Sequence, residues 1–270
     1  MNPGNNVTLI LQLLALQKAA LKNKPSSVPL LDAETGCGRQ VYEADTCVPA
    51  SMAWSGPGIK PGFAKMRLRR STLRCPRWQW PTQEIPYVLH AKDPLIIQRF
   101  YSAVAEIEGV SCVRFLPHTE EDGRLAFVRV EEVPAPTCRA TVGLTRPAPY
   151  VKLSTECTRG QVLHELFHVL GFSHEHMRAD RNQYVRLHCE NIMPNMTTDF
   201  RQLRAGVVES YGEPYDFYSI MHYRFDHFSS NGKDTLEPLV DNVDHRRVGL
   251  MEELSSADIR KLNRFFKCPI

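Results

Sequence analysis

The chain has 270 residues, a formal net charge of +3 at pH 7 and a hydrophobic content of 43%. This length and composition are sufficient to bury one or two hydrophobic cores. The net charge is too small and too dispersed to indicate nucleic-acid binding. No apolar run approaches the roughly 20 residues that a membrane-spanning helix needs. We therefore expect a globular protein with no nucleic-acid partner and no membrane span.

Residues 1–70 are rich in Pro, Gly, Ser and Asn and lack the hydrophobic periodicity of a compact domain. We interpret them as a signal segment followed by a propeptide. Residues 7–16 have the apolar character of a signal-peptide core, although Gln12 interrupts them and no Lys or Arg precedes them. A misassigned start site or an amphipathic helix of the propeptide is the alternative. The sequence Arg-Leu-Arg-Arg at 67–70, directly before Ser71, fits a convertase cleavage site.

The chain contains eight cysteines, and their number and spacing indicate the redox compartment in which the protein folds. None lies in the Cys-x-x-Cys spacing of zinc fingers and redox motifs. Disulfides persist in oxidising compartments and are rare in the cytosol. We therefore expect a secreted protein, with secretory granules as one route. The cysteines are Cys37, Cys47, Cys75, Cys112, Cys138, Cys157, Cys189 and Cys268.

After the propeptide, residues 85–89 (Ile-Pro-Tyr-Val-Leu) predict the first strand. Asp93 can cap a following helix that has Pro94 at its first position, and apolar residues recur there at helical spacing. Three further strands are predicted at 112–115, 125–130 and 151–154. We place the last of them at an edge of the sheet.

A second helix is predicted to begin at Thr158, which forms a capping box with Gln161. Gly171 can adopt the left-handed conformation that closes a final helical turn. After this helix the sequence shows little regular patterning until residues 255–266, which predict a capped amphipathic helix leading to Cys268. Asn195 begins an N-glycosylation sequon, which is consistent with secretion.

The helix that begins at Thr158 carries a candidate metal site. His164 and His168 are four residues apart, so their imidazoles project from one face of the helix and can bind one Zn²⁺. Glu165 can reach the open side of the metal and take a proton from a bound water. His174 lies beyond the turn at Gly171, where it can supply a third ligand. Three imidazoles leave a coordination position free for water, as in catalytic zinc sites.

Residues 164–174, His-Glu-Leu-Phe-His-Val-Leu-Gly-Phe-Ser-His, resemble the long zinc motif of the metzincin peptidases. Residues 219–223, Ser-Ile-Met-His-Tyr, resemble the Met-turn of one branch, the astacin family. The resemblance extends from about residue 80 to residue 268. The sequence after His174 is also similar to the astacin family at Glu175, Arg178, Asp180, Arg181 and Tyr184.

The resemblance implies an α+β, zincin-like catalytic domain of two subdomains at residues 71–268. The N-terminal subdomain is expected to contain a twisted, mostly parallel sheet with long helices. The C-terminal subdomain is expected to be largely irregular and to end in a helix.

The resemblance also implies roles for residues around the metal. Tyr223 is expected near the zinc as a fifth ligand that can swing away and hydrogen-bond the oxyanion. Met221 is expected to pack beneath the three imidazoles, and His222 to make structural hydrogen bonds. The amine freed at Ser71 is expected to pair with Glu175.

Two disulfides are implied by the resemblance, Cys112–Cys268 and Cys138–Cys157, each contributing roughly 3–5 kcal/mol in the loop-entropy view. Cys75 and Cys189 are not required by the family's pattern. A bridge between them, free thiols, and pairing with another chain all remain open.

Astacin-like propeptides silence the zinc with the aspartate of a Phe-x-Gly-Asp motif, which this chain lacks. The nearest sequence is Tyr-Glu-Ala-Asp at 42–45, so Asp45 is our candidate latency ligand. Cys47 is a rival because a thiolate also binds zinc well. Pairing of Cys47 with Cys37 would remove that rival.

Together these features predict a secreted zinc endopeptidase, made as a latent zymogen, that acts as a monomer. It is expected to hydrolyse internal peptide bonds of protein substrates bound as extended strands. One alternative is another metzincin branch, such as a matrix metalloproteinase-like enzyme, against which Arg178, Asp180, Arg181 and Tyr223 argue. Another is an inactive, secreted protease-like binding protein, which the complete set of three His, Glu165 and Tyr223 disfavours.

Overall fold

The computed structural model describes residues 78–119, 126–145, 148–203 and 209–269. The predicted signal segment and propeptide at 1–70, with Asp45 and Cys47, lie outside the described residues, as does Ser71.

The N-terminal subdomain is built on a five-stranded sheet of order β2-β1-β3-β5-β4. The strands β1, β2, β3 and β5 run parallel, and β4 pairs antiparallel with β5. The mostly parallel sheet is therefore confirmed. The strands are β1 (Glu84–Leu89), β2 (Arg114–Pro117), β3 (Val128–Glu132), β4 (Cys138–Ala140) and β5 (Tyr150–Leu153).

One prediction about this sheet is wrong. The sequence places residues 151–154 at an edge, but β5 lies between β3 and β4. The edge strand beside β5 is β4, which has only three residues and therefore too few alternations to be recognised by periodicity. Strands β2 and β3 also begin two and three residues later than predicted, at Arg114 and Val128.

Two helices accompany the sheet, and both begin with the predicted caps. Helix α1 (Pro94–Val110) follows Asp93, whose side chain accepts a hydrogen bond from the Leu95 N–H. Helix α2 (Arg159–Leu170) begins with the reciprocal Thr158–Gln161 capping box. It ends at Gly171, whose φ of 109° lies in the left-handed region that glycine adopts readily.

The core of this subdomain combines apolar side chains from β1, β3, β5, α1 and α2 with Ile220 and Met221 of the Met-turn. A second core belongs to the C-terminal subdomain and includes Val185, Phe200, Tyr215 and Leu236. The two cores agree with the expected two-subdomain α+β architecture.

The C-terminal subdomain consists mainly of turns and loops. Short 3₁₀ helices lie at Glu175–Met177, Arg181–Gln183, Cys189–Asn191 and Pro194–Phe200. Strands β6 (Val185–Leu187) and β7 (Leu236–Pro238) form an antiparallel pair, and helix α3 (Ser256–Phe265) follows. None of the helices in the described part of the chain is long and apolar enough to cross a membrane.

The structure forms both disulfides implied by the resemblance. Cys112 pairs with Cys268, which joins the end of α1 to the chain after α3, and Cys138 of β4 pairs with Cys157 just before α2. Cys189 is also disulfide-bonded, so a free thiol at that position is excluded. The proposed Cys75–Cys189 pairing involves a residue outside the described ranges.

Candidate metal centre and catalytic cleft

Helix α2 and the turn after it bring three imidazoles together. His164 and His168 lie one helical turn apart, with ring centroids separated by 4.6 Å. The chain reverses at Gly171 and returns His174 to the same point. The Nε2 atom of His174 lies 3.2 Å from Nε2 of His164 and 3.0 Å from Nε2 of His168. The three predicted ligands therefore converge through the same ring atom.

The hydrogen bonds on the far side of two rings determine which nitrogen faces the centre. Nδ1 of His164 lies 2.7 Å from the Ile220 carbonyl oxygen, and Nδ1 of His168 lies 2.8 Å from that of Phe172. A carbonyl oxygen can only accept, so each Nδ1 carries the proton and each Nε2 presents a lone pair. The Nε2 atom of His174 carries at most one hydrogen, so it can donate a hydrogen bond to only one of these two Nε2 atoms.

A metal ion satisfies all three nitrogens at once. Four-coordinate Zn²⁺ with Zn–N bonds of about 2.0–2.1 Å places its ligand nitrogens about 3.3 Å apart, close to the separations found here. Burial lowers the pKa of all three imidazoles, that of His168 to about 3. They are therefore neutral, as metal ligands must be. The residues fit one zinc ion.

Glu165 lies beside this cluster with only 6% of its surface exposed. The Ala140 backbone N–H of β4 donates a hydrogen bond to its carboxylate, while Oε2 is buried and has no partner among the described residues. Without a metal, burial raises the pKa of Glu165 to about 8, against the lowering effect of the Ala140 N–H. A zinc ion held by the adjacent imidazoles would lower this pKa and keep the carboxylate ionised. The free oxygen is the atom available to a water or substrate.

Tyr223 packs against the third ligand. Its ring centroid lies 4.3 Å from that of His174 and 4.2 Å from those of His176 and His227. Burial raises the pKa of the Tyr223 phenol far above its ordinary value. The hydroxyl therefore keeps its proton and can act as a hydrogen-bond donor.

Met221 and His222, the two residues that precede Tyr223 in the Met-turn, are buried. Met221 is 2% exposed and belongs to the first core, and its carbonyl accepts a hydrogen bond from the Glu175 N–H. His222 lies 2.8 Å from the Tyr215 hydroxyl, in keeping with the expected structural role.

A cleft of about 410 Å³ contains these groups, with the three imidazoles, Glu165 and Tyr223 in its lining. Edge strand β4 contributes Cys138, Arg139 and Ala140 to its wall. Hydrogen bonds from Thr141 N to Tyr150 O and from Ser154 N to Thr137 O flank the β4–β5 pair. Antiparallel pairing alternates, so the backbone of Arg139 faces β5 and the backbones of Cys138 and Ala140 face outward.

Residues 73–267 match the model of a peptidase family described as Astacin. The chain belongs to the astacin family. Those residues form a zinc metalloendopeptidase domain, and the family uses one catalytic zinc. The matrix metalloproteinase-like alternative is therefore wrong.

Individual relatives agree with this assignment. The chain is 36% identical over 193 residues to zinc metalloproteinase nas-14 of Caenorhabditis elegans, covering 70% of this chain and 37% of that protein. It is 36% identical over 189 residues to the astacin-like metalloendopeptidase of Mus musculus, covering 68% of this chain and 41% of that protein. The chain thus spans less than half the length of these two relatives.

Among solved structures, the chain is similar to high choriolytic enzyme 1, a hatching enzyme zinc-protease from Oryzias latipes. The TM-score is 0.63 at 30% sequence identity, and the match covers 71% of this chain and 96% of that one.

Within this astacin domain, Glu175 forms ion pairs with two cationic side chains. One carboxylate oxygen lies 2.7 Å from Nη1 of Arg178 and the other 2.9 Å from Nζ of Lys261, and all three side chains are buried. The amine of Ser71, expected as its partner, belongs to the part of the chain that is not described. Pairing of Glu175 with that amine stays a prediction.

Sequence reasoning did not anticipate two residues near the site. His227 lines the cleft and packs against Tyr223, and its position four residues after Tyr223 gives no recognisable signal. Asp258 contacts the Met-turn through Ser219 and Ile220. Only its place in the capping box that opens α3 could have drawn attention to it.

Proposed function

We propose that the protein is a zinc-dependent endopeptidase that hydrolyses internal peptide bonds of protein substrates. The observation that carries this proposal is the convergence of the His164, His168 and His174 Nε2 atoms beside the free Oε2 of Glu165 in an open cleft. Zinc held by the three imidazoles supplies Lewis acidity toward the attacking water and the scissile carbonyl.

Glu165 acts as the general base. Its Oε2 accepts a proton from the attacking water, whose oxygen bonds to the carbonyl carbon, and then returns a proton to the amine as the C–N bond breaks. A backbone hydrogen bond from Ala140 anchors the carboxylate while leaving Oε2 available. This anchoring supports a role in proton transfer.

Tyr223 stabilises the oxyanion. Its buried phenol remains protonated, and its contacts with the rings of His174 and His227 hold it beside the third ligand. A hydroxyl donor positioned where negative charge develops lowers the barrier of acyl transfer. Its place beside the third ligand supports this assignment.

Substrate binds along β4 as an extended strand. The outward-facing carbonyl groups of Cys138 and Ala140 offer main-chain acceptors beside Glu165, and the Cys138 N–H offers a donor. Main-chain hydrogen bonds of this kind bind a peptide without regard to most of its side chains. The exposed edge of the sheet therefore supports binding of a polypeptide rather than a small molecule.

We make further proposals about how the enzyme is made and where it acts. Secretion is supported by the Cys112–Cys268 and Cys138–Cys157 disulfides, and a glycan at Asn195 by the exposure of that residue. We propose synthesis as a latent, monomeric zymogen with a propeptide at 1–70 that is cleaved before Ser71 and in which Asp45 is the zinc ligand.

The test is cleavage of a quenched peptide library by the form that begins at Ser71, with zinc content measured in parallel. Glu165→Gln should retain one zinc per chain and lose at least about 10³-fold in turnover, as expected for loss of a general base in a metal site. Glu156→Gln makes the same chemical change at an exposed position near α2 and should cleave like the wild type.

Wild-type turnover by Glu165→Gln would contradict the assigned base. If the wild-type form that begins at Ser71 binds zinc but cleaves no peptide, the inactive binding protein would be favoured instead.

A further inference from the structure

The last helix of the domain contacts the Met-turn through one buried carboxylate. Asp258 lies in the first turn of α3 and is 2% exposed. Its Oδ1 accepts a hydrogen bond from the Ser219 hydroxyl at 2.6 Å, and its Oδ2 accepts one from the Ile220 N–H at 2.8 Å. Both partners belong to the Met-turn, almost 40 residues earlier in the chain.

These two contacts fix the peptide groups on both sides of Ile220. The group before Ile220 is held directly, through its N–H, by Asp258. The group after Ile220 is held through Ser219, whose hydroxyl oxygen accepts a hydrogen bond from the Met221 N–H at 3.0 Å while its proton goes to Asp258. One carboxylate therefore sets the orientation of the Ile220 carbonyl.

The Ile220 carbonyl is the group that orients the first metal ligand. It accepts a hydrogen bond from His164 Nδ1 at 2.7 Å, which fixes both the ring plane and the tautomer of that imidazole. Hydrogen bonds and the peptide group between Ile220 and Met221 thus link Asp258 through the Met-turn to the Nδ1 atom of His164. Ser219 and Asp258 are both fully or almost fully buried, so water does not compete for these bonds.

Helix capping alone does not account for this geometry. Asp258 also accepts from the Ser255 N–H, completing the capping box of α3, but that bond is 3.2 Å long. The two shorter bonds go to the Met-turn. Lys261, one turn later on α3, lies 2.9 Å from Glu175, which directly follows the third ligand. The same helix face therefore supports both the Met-turn and the segment after His174.

We propose that Asp258 is a positioning residue of the metal centre, which orients His164 through Ser219 and the Ile220 carbonyl. This inference rests on the proposed function, because it assigns a role in holding the zinc on which that function depends. It gives the C-terminal helix a part in metal binding as well as in folding.

The test measures zinc release and ligand geometry in the full chain. Asp258→Asn removes one acceptor oxygen, and Ser219→Ala removes only the link to the second peptide group. Loss of a partner that orients a metal ligand typically costs 10–100-fold in metal affinity. We expect about 10-fold faster zinc transfer to excess chelator for Asp258→Asn and a smaller increase for Ser219→Ala. The visible absorption spectrum of the Co²⁺-substituted protein should shift in both variants.

Ser255→Ala is the matched control, because it removes the hydroxyl cap of α3 and leaves both contacts between Asp258 and the Met-turn in place. It should lower the stability of the fold with little effect on zinc release or the Co²⁺ spectrum. If Asp258→Asn does not fold, Ser219→Ala decides, because it preserves Asp258 and its cap.

Zinc release and Co²⁺ spectra of Asp258→Asn and Ser219→Ala that match those of Ser255→Ala would overturn the positioning role while leaving the proposed function intact. A wild-type chain that binds no zinc would instead overturn the proposed function, and this inference with it.

Discussion

Replacing Glu175 by Gln removes the negative charge that two buried cations share. Arg178 and Lys261 are 0% and 2% exposed, and they contact different oxygens of this carboxylate at 2.7 and 2.9 Å. Burial alone raises the pKa of Glu175, but the charges of Lys261 and Arg178 more than offset that effect and hold its pKa below the ordinary value. The carboxylate is therefore charged in the folded state.

The expected loss of stability in Glu175→Gln depends on the ion pairs that Arg178 and Lys261 each keep. Arg178 keeps a second ion pair with Asp180 at 2.9 Å, whereas Lys261 keeps, among the described residues, only Asp258 at 3.7 Å. Removing one member of a buried pair costs about 3–5 kcal/mol because it leaves an uncompensated charge. We expect Glu175→Gln to lower the free energy of unfolding by about that amount, most of it arising at Lys261.

A double-mutant cycle with Lys261→Met isolates this interaction. Lys261→Met leaves Glu175 paired with Arg178 and should cost less than Glu175→Gln. The double variant should be more stable than the sum of the single effects predicts, with a coupling energy of about 2 kcal/mol. Urea unfolding of the zinc-loaded chain at a constant m-value measures each corner. Additive single effects, within about 0.5 kcal/mol, would refute the argument.

Two further predictions concern the backbone. Replacing both Cys112 and Cys268 by Ser opens a loop with a sequence separation of 156 residues. The loop-entropy relation predicts that the free energy of unfolding falls by about 5 kcal/mol. Urea unfolding without reductant measures this loss, and a loss below about 2 kcal/mol would contradict the prediction. Gly171→Ala places a side chain at a φ of 109°, with its Cβ 3.2 Å from the Phe265 ring. It should cost about 1–2 kcal/mol and, by displacing His174, weaken zinc retention; an unchanged melting temperature and zinc content would argue against this account.

The positions of individual helices could be predicted because their signals are local. The Thr158–Gln161 capping box and Gly171 bound α2 within a few residues, and the spacing of four places His164 and His168 on one face. Asp93 and Ser255 mark the other two helices in the same way. Backbone hydrogen-bonding groups at a helix end must be satisfied nearby, so the residues that satisfy them stand nearby in the sequence.

The sheet could be predicted only in part, because strand order depends on partners that are distant in the chain. The sequence places four strands within about three residues of their observed bounds, yet it assigns the edge to β5 instead of β4. Strand β4 joins the sheet through β5, and the Cys138–Cys157 disulfide links it to the chain just before α2. Although the resemblance implied that disulfide, three residues are too few to show the alternation that would mark β4 as a strand.

By itself, the sequence determined the metal-binding constellation, because two ligands share one helix face and a single turn at Gly171 returns the third. Only the tertiary structure decided what holds those ligands in place. Asp258 and Lys261 reach the Met-turn and Glu175 across 38 and 86 residues of chain. The physical reason is that a buried carboxylate or ammonium group must pair with a group of opposite charge or a hydrogen-bond partner. The fold determines which partner lies within reach, and the local sequence does not specify it.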